Sequence, residues 1–227
     1  MSGEQPTRLI IDFGGSSTTG ICSRYGEDAF FFDFDYRDYP PTQTGLEAIL
    51  GKLDLHPGSG VEIVVTGGRS RDLPDQLTIP SVKHVDEIQA IGCGGLKTSG
   101  LSEALVVSLG TGTAMVMARK NENASIVVTH VGGTGLGGGT LMGLGAMLCH
   151  VRSFAELESL VEKGDREQVD LLVRDIVGSG IGILPPDLTA ANFGRIARNP
   201  EHSPRREDLA AGLLNLVGQS VARLAST

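Results

Sequence analysis

A short turn near the N-terminus places a carboxylate beside two glycines and a run of hydroxyl groups. Asp12 comes near the end of an apolar stretch, residues 8–13 (RLIIDF), and the residues that follow it are Gly14, Gly15, Ser16, Ser17, Thr18 and Thr19. A carboxylate at the end of a buried strand can hold Mg²⁺ through water, opposite a phosphate. Glycines let backbone amides approach the phosphate oxygens closely. A plain turn stabilised by the Asp12 side chain is the alternative, and this stretch alone leaves both open.

A second glycine–threonine turn, Gly110-Thr111-Gly112-Thr113, lies between two further apolar stretches, ALVVSL and AMVMAR. By itself such a turn is a weak signal, because many hairpins have one. Its value lies in the repeated plan of strand, turn and returning strand. Two facing hairpins of this kind can hold a phosphate chain between them, since turn amides and hydroxyls both point at its oxygens.

A third stretch, residues 131–145 (VGGTGLGGGTLMGLG), is unusually rich in glycine and runs directly into an apolar helical pattern. The N-terminus of a helix that follows glycines is an anion-binding site, because its first N–H groups have no partner within the helix. Tight packing of a helix against a sheet also requires glycine. The two interpretations are compatible.

Among the other ionisable residues, Glu87 stands at the start of a predicted helix. Most glutamates at such positions are capping or solvated charges, so position alone does not indicate catalysis. His84 and His130 flank the segments described above, but an isolated histidine is more often structural or exposed.

Strands and helices alternate along the chain in a way that can position these groups. Apolar patterns predict strands at residues 8–13, 19–23, 28–36 and 60–68, a helix at 46–53, and a helix at 84–96 that starts near Asp86. A shift in composition at residues 97–102 indicates a domain boundary. We therefore expect an α/β protein with two domains, residues 1–98 and 99–227.

The second half repeats the strand–turn–strand plan and then becomes helical. We expect strands on both sides of the second turn and at residues 125–130, and helices at 141–151, 154–162, 166–176 and 207–224, with a loop at 185–194. Asp165 is the expected cap of the helix at 166–176.

Composition excludes several classes of protein. The net charge of −8 argues against binding to nucleic acid or to an anionic membrane surface. The three cysteines, Cys22, Cys93 and Cys149, lack metal-binding spacing and fit a reducing cytoplasm. The first residues, MSGEQPTRL, show no apolar leader, and we expect no membrane span.

Taken together, the motifs resemble the type II pantothenate kinases, a family of the acetate/sugar kinase–Hsp70–actin superfamily. The matching stretches occur in the family's order over nearly the whole chain. They are IDFGGSSTT (residues 11–19), VDEIQAIGCGG (85–95), SLGTGT (108–113), VGGTGLGGGTLMGLG (131–145), KGDREQVDLLVRDI (163–176) and DLTAANFG (187–194).

The resemblance implies two ribonuclease-H-like (actin-like ATPase) lobes with a nucleotide cleft between them. It implies ATP and Mg²⁺ as cofactors, and transfer of the γ-phosphoryl group to the primary hydroxyl of pantothenate, the first step of coenzyme A biosynthesis. A homodimer in the cytoplasm and an acyl-CoA ligand are further implications. Family members continue past the last helix with another strand and helix, so we expect the C-terminal lobe to be incomplete.

The resemblance also implies roles for individual residues. Glu87 matches the catalytic glutamate, and Asp12 would hold Mg²⁺ through water. The substrate-binding residues would be Ser108, His130 and Gly133. The nucleotide-binding residues would be Asp12, Gly14, Gly15, Ser16, Ser17, Thr18, Thr19, Thr111, Gly112, Gly138, Gly139, Thr140, Leu141, Met142 and Phe154.

Two positions depart from the family pattern. Thr19 stands where the first loop usually ends in lysine, and His130 stands where an arginine usually meets the substrate. Arg69 or Arg71 is a candidate to replace the lost charge. Two alternatives therefore stay open beside the pantothenate kinase: a catalytically weakened protein that binds nucleotide or coenzyme A, and a kinase of another small hydroxylated metabolite.

Overall fold

A computed structural model describes residues 7–24, 26–56, 60–74, 76–79 and 82–227. The first residues, for which the sequence predicts no apolar leader, lie partly outside these ranges. Internal contacts divide the chain into two compact units, Met1–Gly132 and Gly133–Thr227. A unit defined by contacts is not the same as a ribonuclease-H-like lobe, so the lobe boundary at residues 98/99 stays a prediction.

The first unit is built on a mixed five-stranded sheet. Its strands are β1 (Thr7–Phe13), β2 (Ser17–Ser23), β3 (Phe30–Asp35), β4 (Val61–Thr66) and β5 (Val82–His84), in the spatial order β3-β2-β1-β4-β5. The first three strands pair antiparallel, whereas β4 pairs parallel with β1 and β5 pairs parallel with β4. All four strands predicted in this part of the chain are confirmed.

One face of this sheet carries the core of the unit. Leu9, Ile11 and Phe13 point to that face of β1 and are almost completely buried. Helix α1 (Gln43–Lys52), which is capped by the Thr42 hydroxyl, covers them with Leu46, Ile49 and Leu50. The other face of β1 carries Arg8, Ile10 and Asp12, all of which are exposed. The RLIIDF stretch is therefore buried on one side only, and Asp12 faces away from the core.

The first unit continues with helix α2 (Glu87–Ser99) and the strands β6 (Glu103–Leu109), β7 (Thr113–Lys120) and β8 (Ile126–Thr134), and it ends within β8. The three strands form one sheet. Helix α2 packs on β6 and β7. A Cβ atom at Gly95 would lie 2.4 Å from a methyl group of Val106, so glycine is required for this close packing.

The second unit is mainly helical. Helices α3 (Gly138–Cys149) and α4 (Phe154–Val161) pack against α7 (Arg206–Ala225) around a small apolar core that includes Cys149, Val151 and Leu157. The helices predicted at 141–151, 154–162 and 207–224 are confirmed, although α3 begins three residues earlier than expected.

The single helix predicted at residues 166–176 is wrong. This segment holds a 3₁₀ turn (Arg166–Gln168), the short strand β9 (Leu171–Leu172) and the five-residue helix α5 (Val173–Val177). β9 pairs with β10 (Thr189–Ala191), which lies inside the predicted loop, and a last short helix, α6 (Gly194–Arg198), follows it.

Asp170 explains this difference. It is completely buried, and its carboxylate accepts hydrogen bonds from the backbone N–H of Phe193 and from the Asn215 side chain. A residue that binds two distant segments fixes the local backbone more strongly than helical periodicity does. Asp165 does act as a cap, but of the 3₁₀ turn, through the N–H of Glu167.

In the described part of the chain, no helix is both long enough and apolar enough to cross a membrane.

Candidate active site

The candidate site lies at the carboxyl ends of three adjacent parallel strands of the five-stranded sheet, β1, β4 and β5. Asp12 is next to last in β1, Thr66 ends β4, and Glu87 follows β5 after two residues. Asp12 pairs in register with Thr66 on one side and with Thr19 on the other. Ligands bind at the carboxyl ends of parallel strands in open α/β sheets, because the strand ends and the loops that follow them converge there.

Two consecutive glycines bring the two carboxylates of this site close together. Gly67 has φ of +90°, and a Cβ atom there would lie 2.1 Å from Oδ1 of Asp12. A Cβ atom at Gly68 would lie 3.2 Å from Oε2 of Glu87. The two side chains therefore rest on neighbouring residues of one turn, and bulkier residues there would push them away.

The pKa values of both carboxylates are raised, and only that of Glu87 is raised in part by the other carboxylate. Asp12 is exposed in part, but the protein atoms around its carboxylate remove enough water to raise its pKa above the ordinary value of 3.8. Burial is also the main cause that raises the pKa of Glu87 above 4.5, and the negative charges of Asp12 and Asp86 add to it, while Arg71 acts in the opposite direction. A carboxylate with a raised pKa at the end of a strand is typical of a group that exchanges protons with a substrate.

The residues present fit a magnesium ion that arrives with a nucleotide. The Oγ1 atom of Thr66 is buried and has no hydrogen-bond partner among the described residues, and Thr66 pairs with Asp12 on the adjacent strand. No cluster of three or more metal-ligating side chains was found within the described ranges. Mg²⁺ bound with ATP needs only one or two carboxylates, because phosphates and water complete its shell.

The two glycine–threonine turns meet within the first unit, as their repeated plan suggests. The hydroxyls of Ser16 and Thr111 are 2.8 Å apart and share a hydrogen bond. A Cβ atom at Gly15 would lie 2.7 Å from Oγ1 of Thr111, so this approach requires glycine. A hydrogen bond from the N–H of Gly110 to the carbonyl of Gly112 (2.8 Å) closes the second turn.

The other residues of the first loop face in different directions. Thr18 is buried, and its hydroxyl donates to the carbonyl of Tyr39 (2.9 Å), so this side chain is engaged with the core and not with the loop. Thr19 lies on the same face as Asp12, directly across from it. Gly14 has little space around it, since a Cβ atom would lie 3.1 Å from the carbonyl of Ser17. The nucleotide contacts predicted for these residues stay predictions.

The glycine-rich stretch leads into helix α3, as the sequence predicts, and its last residues form the first part of the helix. Helix α3 is capped at Gly137, and its first turn contains no acidic residue. The Thr140 hydroxyl accepts from the N–H of Gly137 and donates to the carbonyl of Gly135, which closes the loop before the helix. Gly138 and Gly139 begin α3, so their backbone N–H groups have no partner within the helix.

Further predicted residues differ in their surroundings. Leu141 and Met142 are partly buried and pack against the apolar core of the second unit. Phe154, at the start of α4, is 55% exposed. His130 and Gly133 are exposed in β8, and Ser108 is half-buried in β6.

Sequence reasoning missed the connection between Arg71 and the start of α2. Arg71 and Arg69 share the 3₁₀ turn Gly68–Asp72. Arg71 binds Asp86 (Nη2–Oδ2, 3.4 Å), whereas Arg69 pairs with Asp72 and lies over the ring of Tyr36. The available signal was the Thr66-Gly67-Gly68 sequence, which places a tight turn and these two cations directly after a strand that ends at the site.

Comparisons with known proteins assign the family. The model of the Fumble family matches residues 97–227, which is more than half of the chain. This chain belongs to the Fumble family.

Curated relatives of this Fumble-family chain are named type II pantothenate kinases. The protein of Oceanobacillus iheyensis is 37% identical over 161 residues, which cover 69% of this chain and 57% of the relative. The protein of Staphylococcus aureus strain USA300 is 30% identical over 170 residues, which cover 73% of this chain and 62% of the relative. The match thus spans about three fifths of the length of these relatives.

Solved structures with a similar fold extend the comparison to nearly the whole chain. The ADPNP-bound activator of 2-hydroxyisocaproyl-CoA dehydratase from Clostridium difficile has a TM-score of 0.57 at 15% identity, over 97% of this chain and 75% of that one. A putative 2-dehydro-3-deoxygalactonokinase from Sinorhizobium meliloti has a TM-score of 0.51 at 13% identity, over 97% of this chain and 81% of that one. This Fumble-family chain therefore shares the α/β fold of these two proteins, and the predicted α/β class is confirmed.

Proposed function

We propose that this protein is an ATP-dependent kinase that phosphorylates the primary hydroxyl of pantothenate. The observation that carries the proposal is the pair of carboxylates, Asp12 and Glu87, held against Gly67 and Gly68 at the carboxyl ends of parallel strands. Membership of the Fumble family and the names of the relatives support pantothenate as the acceptor.

Glu87 acts as the general base. Its carboxylate orients the acceptor hydroxyl and takes its proton while the hydroxyl oxygen attacks the γ-phosphorus of ATP. The bond from that phosphorus to the bridging oxygen breaks, and ADP leaves. The raised pKa of Glu87 suits this role, because a stronger base accepts the proton more readily.

The phosphates are held by the hydroxyls and amides of the turns around Gly15 and Thr111. These groups act by position and by partial charge, which is the main means of catalysis in phosphoryl transfer. Asp12, with the Thr66 hydroxyl beside it, would hold Mg²⁺ through water. When bound, the ion supplies charge neutralisation between the phosphates.

The test is ADP release from Mg-ATP with and without pantothenate, on wild type and Glu87→Gln. We expect pantothenate-dependent release that Glu87→Gln reduces at least about a hundredfold, the lower range for loss of a general base. Glu122→Gln, at an exposed position in the turn after β7, is the matched control and should keep wild-type activity. Release that is independent of pantothenate, or a fully active Glu87→Gln, would contradict the proposal.

One observation favours the alternatives over a fully active enzyme. Thr19 lies in register with Asp12, so a short neutral hydroxyl stands at the position where the family pattern has a lysine. A lost cation weakens the stabilisation of the transferring phosphate. ATP binding without turnover would indicate a weakened nucleotide- or CoA-binding protein, and turnover with another hydroxylated metabolite would indicate a different acceptor.

We further propose that the protein works in the cytoplasm, as a homodimer, with acyl-CoA as a candidate regulatory ligand. Cys22, Cys93 and Cys149 are free thiols, which supports a reducing compartment. The dimer and the acyl-CoA ligand rest on the family resemblance. Light scattering and a binding assay with acetyl-CoA test them directly.

A further inference from the structure

The 3₁₀ turn Gly68–Asp72 contacts the first turn of α2 at two points. Gly68, its first residue, lies under the carboxylate of Glu87, because a Cβ atom at this glycine would come within 3.2 Å of Oε2. Arg71, near the end of the turn, binds Oδ2 of Asp86 at 3.4 Å. The turn itself is anchored, because Ser70 is buried and its N–H donates to the carbonyl of Gly67.

Asp86 connects this turn to the backbone of the helix. While Oδ2 faces Arg71, Oδ1 accepts the N–H groups of Ile88 (3.0 Å) and Gln89 (3.3 Å) as the N-cap of α2. Glu87 is the residue between the cap and these two donors. Because the guanidinium of Arg71 holds the second carboxylate oxygen, the Asp86 side chain has less freedom to rotate. Asp86 therefore fixes the first turn of α2 to the 3₁₀ turn as well as capping it.

The charges around Glu87 also indicate that Arg71 acts on this carboxylate. Asp12 and Asp86 both bring negative charge to Glu87, and the positive charge of Arg71 acts against them. Arg69, from the same turn, is directed away and binds Asp72. The two arginines thus have equal charge and neighbouring positions but different partners.

We propose that Arg71 is a positioning residue: bound to Asp86, it fixes the first turn of α2 and thereby the place of the Glu87 carboxylate beside Gly68 and Asp12. This inference rests on the proposed kinase function for its catalytic consequence. It differs from a phosphate-binding role, in which Arg71 would leave Asp86 and contact the nucleotide.

Steady-state kinetics separate these two roles. For Arg71→Gln we expect kcat to fall about threefold to fivefold, the range for loss of an exposed ion pair, with KM for ATP unchanged. Asp86→Asn keeps a capping side chain but loses the ion pair, so it should show a similar loss. The double variant should be no worse than the more damaging single one, because both remove the same interaction.

Two further variants serve as controls. Arg71→Lys should recover most of kcat, since it restores a cation beside Asp86, and Arg69→Gln should behave like wild type. A rise in KM for ATP with kcat unchanged in Arg71→Gln would overturn the proposal in favour of phosphate binding. Equal losses of kcat in Arg69→Gln and Arg71→Gln would overturn it as well. They would show that the positive charge of the 3₁₀ turn matters, and not the contact between Arg71 and Asp86.

A readout without substrate keeps this inference separate from the proposed function. Amide hydrogen exchange of the protein without ligand, followed by NMR, reports on the bonds that Ile88 and Gln89 donate to Asp86. Arg71→Gln should speed exchange at these two amides about threefold to fivefold and leave the amides of β1 unchanged. Unchanged exchange would overturn the positioning role, whatever the wild type does with pantothenate. Altered exchange in a protein that does not turn over pantothenate would support that role and reject only the proposed acceptor.

Discussion

At the scale of single residues, Gly67 has the strictest requirement in the candidate site. It has φ of +90°, and a Cβ atom there would lie 2.1 Å from Oδ1 of Asp12 and 2.6 Å from the carbonyl oxygen of Phe13. A side chain at this position is disfavoured by the backbone conformation and also collides with a carboxylate. The position is therefore constrained by the backbone and by the site at once.

We predict that Gly67→Ala abolishes turnover and lowers the free energy of unfolding by about 1–3 kcal/mol, because of the strained backbone and the collision with Asp12. Gly94→Ala is the control, since Gly94 lies inside α2 with open space around it. It should gain roughly 0.5–1 kcal/mol, the usual difference between alanine and glycine in a helix. Urea unfolding and ADP release check both, and an active, stable Gly67→Ala would contradict the geometry.

The carboxylate of Asp12 should reduce stability at neutral pH. Its pKa is raised by burial, so the folded state binds the proton more tightly than the unfolded chain does. Stability is then lost as pH rises from the ordinary pKa of 3.8 through the raised value of the folded protein. Above the raised pKa, Asp12 is ionised in both states, and the folded state is destabilised by the full cost of removing water from this charge.

We therefore predict that Asp12→Asn, which is neutral at every pH, is more stable than wild type at pH 7.5 by about 0.5 kcal/mol, a small value because water screens the partly exposed group. The difference should shrink towards pH 4, and the variant should lose activity. Urea unfolding at both pH values, without Mg²⁺, measures this. A less stable Asp12→Asn at pH 7.5 would indicate that the carboxylate has a stabilising partner in the fold.

At the scale of elements, Asp208 attaches helix α7 to the rest of the second unit. It is buried in the first turn of the helix, accepts the N–H of Asp165 at 3.0 Å, and binds the guanidinium of Arg205 through both oxygens, at 2.7 and 3.0 Å. The hydrogen bonds from Arg205 are the main cause that lowers the pKa of Asp208 below its ordinary value of 3.8. Since α7 packs on α3 and α4, this attachment supports the helix that starts at the glycine-rich loop.

We predict that Asp208→Asn destabilises the protein by about 1–3 kcal/mol at pH 7, because the buried amide loses the ion pair with Arg205 and its NH₂ group cannot accept hydrogen bonds. The contribution of Asp208 is present above pH 3.8 and is lost as pH falls through its lowered pKa, so variant and wild type should converge in acid. Glu201→Gln, at an exposed position before α7, is the control. Thermal unfolding between pH 7 and pH 3 checks this, and equal melting temperatures at pH 7 would contradict it.

At the scale of the whole molecule, the surface carries apolar side chains that a monomer has no evident use for. The segment between α5 and β10 exposes Ile181 (53%) and Ile183 (98%), and Ile183 stands next to Gly182 at the tip of a small turn closed by Ile181 and Leu184. Exposed apolar clusters of this kind are typical of association surfaces. They support the proposed homodimer.

We predict a dimer by light scattering at micromolar concentration and a weaker dimer for Ile183→Ser, with a dissociation constant at least about tenfold higher, as expected for loss of one buried isoleucine at an interface. Met147→Ser removes a side chain that is 72% exposed on α3 and should leave association unchanged. A monomeric wild type would contradict the dimer. Dimers of equal strength in both variants would place the contact elsewhere.

The sequence by itself determined most of the strands and helices, the two glycine–threonine turns and the α/β class. These features depend on local properties: the apolar stretch of β1, the cap at Asp86, and glycine where a turn is tight. The family resemblance identified Glu87 as the candidate base, which its position at a helix start alone did not indicate.

Only the tertiary structure decided which groups meet. Asp170 overrode the helical pattern of residues 166–176 because its buried carboxylate binds Phe193 and Asn215, far away along the chain. The same holds at the candidate site. Nothing in the sequence around Arg71 distinguishes it from Arg69, and the partner of each is set by where the turn after β4 passes the start of α2. Local patterns determine elements because their energies are local, whereas a site is assembled from contacts between residues that are distant in sequence.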